Sequence, residues 1–325
     1  MSAALTRSRL LNALKCYWNY ALSLFGLVRI SHMPTFVSVE PASICQLKCP
    51  ECPVGMAKKP MANSQRLMAK EVWQRVLTEV KDTAHTIQFY FQGEPLLNKE
   101  LPQMIREAHE AGLYTIVSTN AQALTQPLAE ELVRAGLNCI IISMDGLTDE
   151  TYNVYRVGGR LDQCKAALRY LREAKDRTPY TLHSTPIIEL QCLRLRTNEQ
   201  EWREFKKQYK ALGADRLVFK TAQLYDYANG HPLMPSDARY SRYEKGADGL
   251  FRRKKMHRGC LRVWSGVVVT TNGDVLPCCY DKSRMHAYGN IMSSSMKELF
   301  ADERAIAFRR AALHEQPQIC QECWK

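Results

Sequence analysis

The sequence predicts an α/β protein, a parallel sheet curled into a partial (β/α)6 barrel with a small C-terminal α+β domain attached. Three observations predict it. Six apolar or β-rich runs alternate with helical patterns between Phe36 and Leu212, the last run closing at Arg216–Phe219. Glycines stand just beyond three of those helical patterns, at Gly112, Gly136 and Gly213, where a chain leaving a helix most often needs a left-handed residue. From Gly259 the character changes to a cysteine-bearing hairpin followed by short helices. These changes divide the chain into an N-terminal helix over 1–35, a barrel over 36–225, a linker over 226–257 and a tail domain over 258–325.

In chain order, the first segment carries apolar residues at Leu10, Leu11, Leu14, Tyr17, Trp18, Ala21, Leu22 and Phe25, the stripe of an amphipathic helix. Arg9, Asn12, Lys15, Asn19 and Ser23 lie opposite, and no acidic residue occurs before Glu40. Two readings stand side by side. A basic amphipathic helix with aromatics at its boundary suits an anionic membrane surface. The same stripe could instead pack under the barrel and close its bottom, with Cys16 as a small packing residue.

The six strand runs are Phe36–Glu40, Thr86–Phe91, Tyr114–Ser118, Cys139–Met144, Ile187–Leu193 and Arg216–Phe219. The helical patterns between them are Ala69–Lys81, Leu101–Ala111, Gln126–Ala135, Leu161–Ala174 and Glu199–Leu212. In such barrels the chemistry sits at the C-terminal ends of the strands. The loop after the first run places Cys45, Cys49 and Cys52 within eight residues, in a C-x3-C-x2-C spacing. A tetrahedral zinc site or an ordinary four-iron cluster needs four ligands, and no fourth Cys or His lies nearby. A cubane held by three cysteines leaves one iron open; a zinc knuckle borrowing a distant ligand is the alternative.

The remaining strand ends are polar. Gln92-Gly93-Glu94-Pro95 follows the second run, Ser118-Thr119-Asn120 ends the third, Ser143-Met144-Asp145-Gly146 ends the fourth, and Arg156 comes a short helix later. Polar residues alternate inside the strands at Gln88, Tyr90 and Gln92, and at Glu189 and Gln191, with Lys220 ending the sixth, which predicts a polar lumen. Cys139, Cys164 and Cys192 read as core. Beyond Tyr225 the regularity fails, and Arg252, Arg253, Lys254, Lys255 and Arg258 form a basic run suited to a solvated surface or to an anion. In the tail, an Asn272-Gly273 turn joins Val267–Thr271 to Asp274–Leu276, then come the doublet Cys278-Cys279, helical segments Met296–Phe300 and Glu303–Leu313, and Cys320-x2-Cys323. Cys260, Cys278, Cys320 and Cys323 make four thiolates, enough for a closed cluster or a zinc ribbon, and the doublet leaves open whether Cys278 or Cys279 ligates.

Composition narrows the partners. Among 325 residues, Lys+Arg number 45 against Asp+Glu 33, a formal net charge of +12 with a pI of 9.1, which favours anionic partners. The 12 cysteines cluster as metal ligands do, not as the framework of a small secreted scaffold. No cleavable signal peptide and no run long enough to span a bilayer is evident, so the chain reads as cytoplasmic, at most peripheral on the inner membrane face.

The C-x3-C-x2-C loop resembles the signature of the radical S-adenosylmethionine (SAM) enzymes. In that family the open iron chelates SAM, and the reduced cluster cleaves it to methionine and a 5′-deoxyadenosyl radical. The resemblance extends to Gly93, Glu94 and Pro95, which match the motif holding the SAM amino group, and to Ser118, Asn120 and Ser143 at strand ends that contact its ribose and carboxylate. Arg156 is a further partner for that carboxylate. The tail resembles the auxiliary-cluster twitch domain, a shortened SPASM domain, similar to that of radical SAM dehydrogenases of aminocyclitol antibiotic biosynthesis. The resemblance implies two [4Fe–4S] clusters, SAM, and an electron donor such as a flavodoxin or ferredoxin. It implies an oxidoreductase-type enzyme acting on a small polar molecule, or on a lipid-linked one if the N-terminal helix sits on a membrane. A peptide-modifying SPASM maturase is the alternative, and a non-catalytic iron–sulfur or zinc protein the third class.

Overall fold

The computed structural model describes residues 6–56, 65–178, 186–254 and 259–323. Its first helix, α1 (Arg7–Leu24), is followed by β1 (Phe36–Val39), α2 (Lys70–Val80), β2 (Thr86–Phe89), α3 (Leu101–Glu110), β3 (Tyr114–Thr119), α4 (Gln126–Arg134) and β4 (Cys139–Ser143). Then come α5 (Asp149–Tyr155), α6 (Leu161–Arg177), β5 (Ile187–Arg194), α7 (Trp202–Gln208) and β6 (Arg216–Thr221). All six strands pair in parallel in chain order, as the alternation predicts. β4 is buried along its whole length, which is why Cys-Ile-Ile-Ile-Ser reads as an unbroken apolar run. Thr125 caps α4 through its hydroxyl, and Gly112, Gly136 and Gly213 all take the positive φ expected of helix-ending glycines.

Two expectations change. The predicted helix Glu199–Leu212 begins instead as a 3-10 turn, Arg196–Glu201, and only then becomes α7. The reason is Asn198, whose fully buried amide donates to the Asp145 and Leu193 carbonyls at 2.9 Å and so ties this turn to two strand ends. The region expected to be a linker also folds. It contains a hairpin, β7 (Tyr243–Lys245) with β8 (Phe251–Arg253). Leu224, Leu233, Met234 and Tyr243 bury there against Leu47, Cys49 and Tyr155, making a second apolar cluster over the cysteine loop. Two of its basic residues make inward contacts, Arg253 donating to the carbonyls of Cys320 and Cys323 and Lys254 to that of Ser241 at 2.9 Å, while Arg252 stays exposed and pairs with Asp248. Lys255 and Arg258 lie outside the described residues.

The tail comprises α8 (Leu261–Ser265), β9 (Gly266–Val269), β10 (Asp274–Leu276), β11 (Gly289–Asn290), α9 (Met296–Ala301), α10 (Glu303–His314) and α11 (Gln318–Gln321). Its hairpin turns at Gly273, with φ +90°. The tail does not build its own sheet: β9 pairs in parallel with β1, giving one nine-stranded sheet in the order β11-β10-β9-β1-β2-β3-β4-β5-β6. That edge pairing brings Cys278 and Cys279, just past β10, beside the open ends of the barrel strands.

One of the two readings of the N-terminal helix, an apolar stripe packed under the barrel, does not hold, because its polar face is the buried one. The buried side of α1 is Arg9, Asn12, Cys16, Asn19 and Ser23, and the apolar stripe faces outward. The barrel bottom presents unpaired carbonyls at the ends of α2 and α3, which an apolar stripe could not satisfy. The Arg9 guanidinium donates to Lys81, Ala111 and Gly112, each at 2.6 Å. Asn12 donates to Met33 and Thr83 and accepts from the Met33 amide. A polar face wins this site because burying those carbonyls unmet would cost about 1–3 kcal/mol each.

Candidate functional site

A cavity of about 500 Å³ opens at the C-terminal ends of the barrel strands. Cys45, Cys49 and Cys52 line it, with Cys52 N donating to the Cys49 carbonyl in a tight turn. The Cys45 sulfur receives the Leu47 amide and the Asn120 side-chain amide, both at 3.4 Å. Burial pushes the Cys49 thiol up to about 11 and raises that of Cys45 as well. Buried thiols of this kind become thiolates when a cationic centre replaces their protons, so the donor set fits an iron–sulfur cluster. Among the described residues no three His, Cys, Asp or Glu side chains gather around the position of a single ion. The thiols are spaced around hollows instead.

The other strand-end residues arrange themselves around this loop in two roles. Gly93, Ser118, Asn120, Ser143 and Arg156 line the cavity. Glu94 reaches it too, but its carboxylate is wholly engaged in the framework. It accepts from Thr119 Oγ1 at 2.6 Å, Asn120 N at 2.8 Å and Leu96 N at 3.1 Å. Burial pushes the Glu94 carboxyl upward against those three donors. Glu94 therefore fixes the end of β3, and Pro95 begins the 3-10 turn behind it. The glycine is required by a close approach of backbone. A Cβ at Gly93 would stand 2.2 Å from the Ala42 carbonyl oxygen and 2.7 Å from that of Ile44, so the close approach is to the cysteine loop's own backbone. Gly93→Ala is expected to push that loop away and lower SAM binding by about tenfold or more, read by isothermal titration; unchanged affinity would show that the loop tolerates the shift.

Arg156 is held by Asp145, Nε to Oδ2 at 2.6 Å, while the other Asp145 oxygen accepts from Leu193 N at 2.6 Å. Burial alone would lower the guanidinium's pKa, but Asp145 and the Cys49 thiol drive it well above the ordinary value. A fixed positive charge thus stands beside the three-cysteine set. The same cavity is also lined by Lys220, Arg242 and Lys282, with Tyr90, Gln191 and Cys279. Arg242 donates to Tyr280 OH and Thr221 Oγ1, each at 2.9 Å, and Lys282 donates to Gln223 and Tyr225, each at 3.1 Å. Burial lowers the Lys282 ammonium's pKa, opposed by the Cys52 and Cys279 thiols. Glu51 links the cysteine loop to the segment beyond β6, accepting from Tyr225 N at 2.8 Å.

The lumen alternation holds for its upper members only. Tyr90, Gln92, Gln191 and Lys220 line the cavity, whereas Glu189 sits lower and pairs with Arg216 Nε at 2.6 Å, and Gln88 is buried outside the lining. Cys139, Cys164 and Cys192 are buried, as expected. A second, smaller hollow is lined by Cys260, Cys278, Cys320 and Cys323, with Val263, Ala312 and Ile319. Burial raises the Cys278 thiol and takes that of Cys320 up to about 11. The doublet is thereby divided: Cys278 lines the four-thiol hollow and Cys279 the main cavity. Sequence reasoning missed Cys279, Arg242 and Lys282 in the lumen; the doublet was a signal, but nothing local said that its members face different spaces.

Comparison with known proteins matches residues 39–188 to the radical SAM superfamily and residues 260–324 to the SPASM iron–sulfur cluster-binding domain. A PqqA peptide cyclase of Ruegeria pomeroyi is 25% identical over 301 residues, spanning 86% of this chain and 76% of that protein. Among solved structures, Streptococcus suis SuiB bound to its precursor peptide SuiA superposes with a TM-score of 0.63 at 16% identity, over 94% of this chain and 73% of that one. BtrN in complex with AdoMet and 2-DOIA gives a TM-score of 0.55 at 17% identity, over 91% and 95%. At those identities the two structures bear on fold alone.

Proposed function

Because this chain belongs to the radical SAM superfamily and carries an iron–sulfur cluster-binding SPASM domain at its C-terminal end, we propose that it is an enzyme that modifies a peptide by oxidation or cross-linking. Likeness to a peptide cyclase along most of the chain carries that reading and sets the small-molecule expectation second. When bound, a four-iron cluster with SAM supplies reductive cleavage and hydrogen abstraction, and further clusters move the remaining electron.

This chain's own residues would then divide the work. Cys45, Cys49 and Cys52 would hold the first cluster, and Cys260, Cys278, Cys320 and Cys323 the second. Gly93, Ser118, Asn120, Ser143 and Arg156 would bound the SAM side of the cavity, with Glu94 and Pro95 fixing the loop that presents them. Lys220, Arg242 and Lys282, which line the same cavity, would orient an anionic group of the substrate, such as an acidic side chain. Tyr155 and Leu47, buried with the hairpin region, would keep water from the three-cysteine loop. A one-electron protein donor of the flavodoxin or ferredoxin kind would complete the system.

One observation favours a second reading, a small polar substrate: the described residues hold a single four-thiol hollow beside the lumen. The test is to incubate the reduced, reconstituted enzyme and SAM separately with a library of short acidic peptides and with polar metabolites including aminocyclitols. Peptide-dependent 5′-deoxyadenosine, with a mass change in the peptide, is expected. Turnover with the metabolites and none with the peptides would overturn the peptide reading.

A further inference from the structure

The face of α1 turned away from the barrel has no partner within the described residues. It carries Leu10, Leu11, Leu14, Tyr17, Trp18 and Phe25, with Trp18 66% and Phe25 84% exposed. The helix is locked in this orientation. Arg9, only 3% exposed, bonds three carbonyls on the barrel bottom, and Asn12 and Asn19 fasten the same side to Met33, Thr83 and Ser31. Rotating the apolar face inward would strip those buried carbonyls of their donors. So dense an apolar surface, rigidly held outward, marks an interaction site.

Charge selects the occupant. Arg7, Lys15 and Arg29 are exposed on or beside this helix, and the sequence holds no Asp or Glu before Glu40. Asp82, an acid that acts on this helix, does so through Arg9 on the buried side. A second copy of the chain is disfavoured, because a two-fold contact would set the same patches, and so like charges, against each other. Tyr17 and Trp18 are side-chain types at home where apolar and aqueous phases meet. No helix among the described residues is long and apolar enough to cross a membrane, so α1 would lie along a surface.

We propose that α1 docks this enzyme on an anionic lipid surface, its apolar face in the headgroup boundary and its cations among the lipid charges. The inference is independent of the substrate reading. It also sets the geometry: the polar contacts that hold α1 are to the bottom of the barrel, so the cavity at the strands' C-terminal ends opens away from the membrane.

The test uses the full-length, cluster-loaded enzyme and vesicles of phosphatidylcholine, with or without phosphatidylglycerol, in anaerobic co-sedimentation. Binding should require phosphatidylglycerol and weaken as salt rises. The L14E/F25E variant should bind about tenfold less or worse, while its SAM cleavage stays at the wild-type level, since neither side chain touches the site. R7E/K15E should lose the phosphatidylglycerol dependence, which keeps the proposal testable should the first variant load iron poorly. Wild-type protein that ignores both vesicle types, or an L14E/F25E protein that binds as wild type, overturns it. So does a wild-type dimer that L14E/F25E converts to monomer, which would assign the face to a second copy.

Discussion

Replacing Cys45, Cys49 and Cys52 together with Ala should leave about four of about eight irons and cut 5′-deoxyadenosine formation by on the order of a thousandfold or more. The three side chains line one cavity and add little to the framework around it beyond the Cys45 contacts to Leu47 N and Asn120 and the packing of Cys49. That framework is made by others: Glu94 binds Thr119 and Asn120, Asp145 binds Arg156, and Glu51 binds the Tyr225 amide. The barrel should therefore survive the substitution, and the four-thiol hollow at the tail should still take up iron. Iron analysis with electron paramagnetic resonance of the reduced protein separates the two populations. A triple variant that keeps all its iron, or still forms 5′-deoxyadenosine, would remove this loop from the chemistry.

The second large effect comes from splitting the doublet. Cys278→Ala should lose about four irons and substrate turnover together, because it opens the four-thiol set. Cys279→Ala should keep all the iron and the substrate-free cleavage of SAM, yet change the yield or identity of the substrate product. The asymmetry is unusual for adjacent residues and follows from the chain path after β10, where one side chain enters the hollow beneath α10 and α11 and the next enters the lumen beside Tyr90 and Lys282. Iron loss in the Cys279 variant with retention in the Cys278 variant would transfer the ligand role to Cys279. Full retention in both would place the fourth ligand elsewhere.

Much of this site is legible in the sequence because its chemistry is local along the chain. Three cysteines within eight residues lie on one loop whatever the fold does, and strand–helix alternation forces that loop to the C-terminal end of a parallel sheet. Gly93, Ser118, Asn120 and Ser143 come to the same cavity for that reason. The alternation inside strands was a weaker guide. It tells that Glu189 and Gln191 share a face but not how deep the lumen runs, and Arg216, one strand away, takes Glu189 out of it.

Spacing along the chain suffices for the parallel barrel, the three-thiol loop at its mouth, the cysteine tail and the lack of acids in the first segment. Relative placement depends on contacts between distant residues. The pairing of β9 with β1, residues far apart in the chain, joins tail and barrel into one sheet and delivers Cys279 and Lys282 to the lumen, while Arg242 reaches it from beside β7, tied to Thr221 at the end of β6. The direction of α1 was decided in the same way. Periodicity divides a helix into two faces, but which face is buried depends on what it meets, and here it meets the free carbonyls at the ends of α2 and α3. Arg9 and Asn12 can satisfy those groups and Leu14 cannot, so hydrogen bonding turned the polar face in and left the apolar face outside.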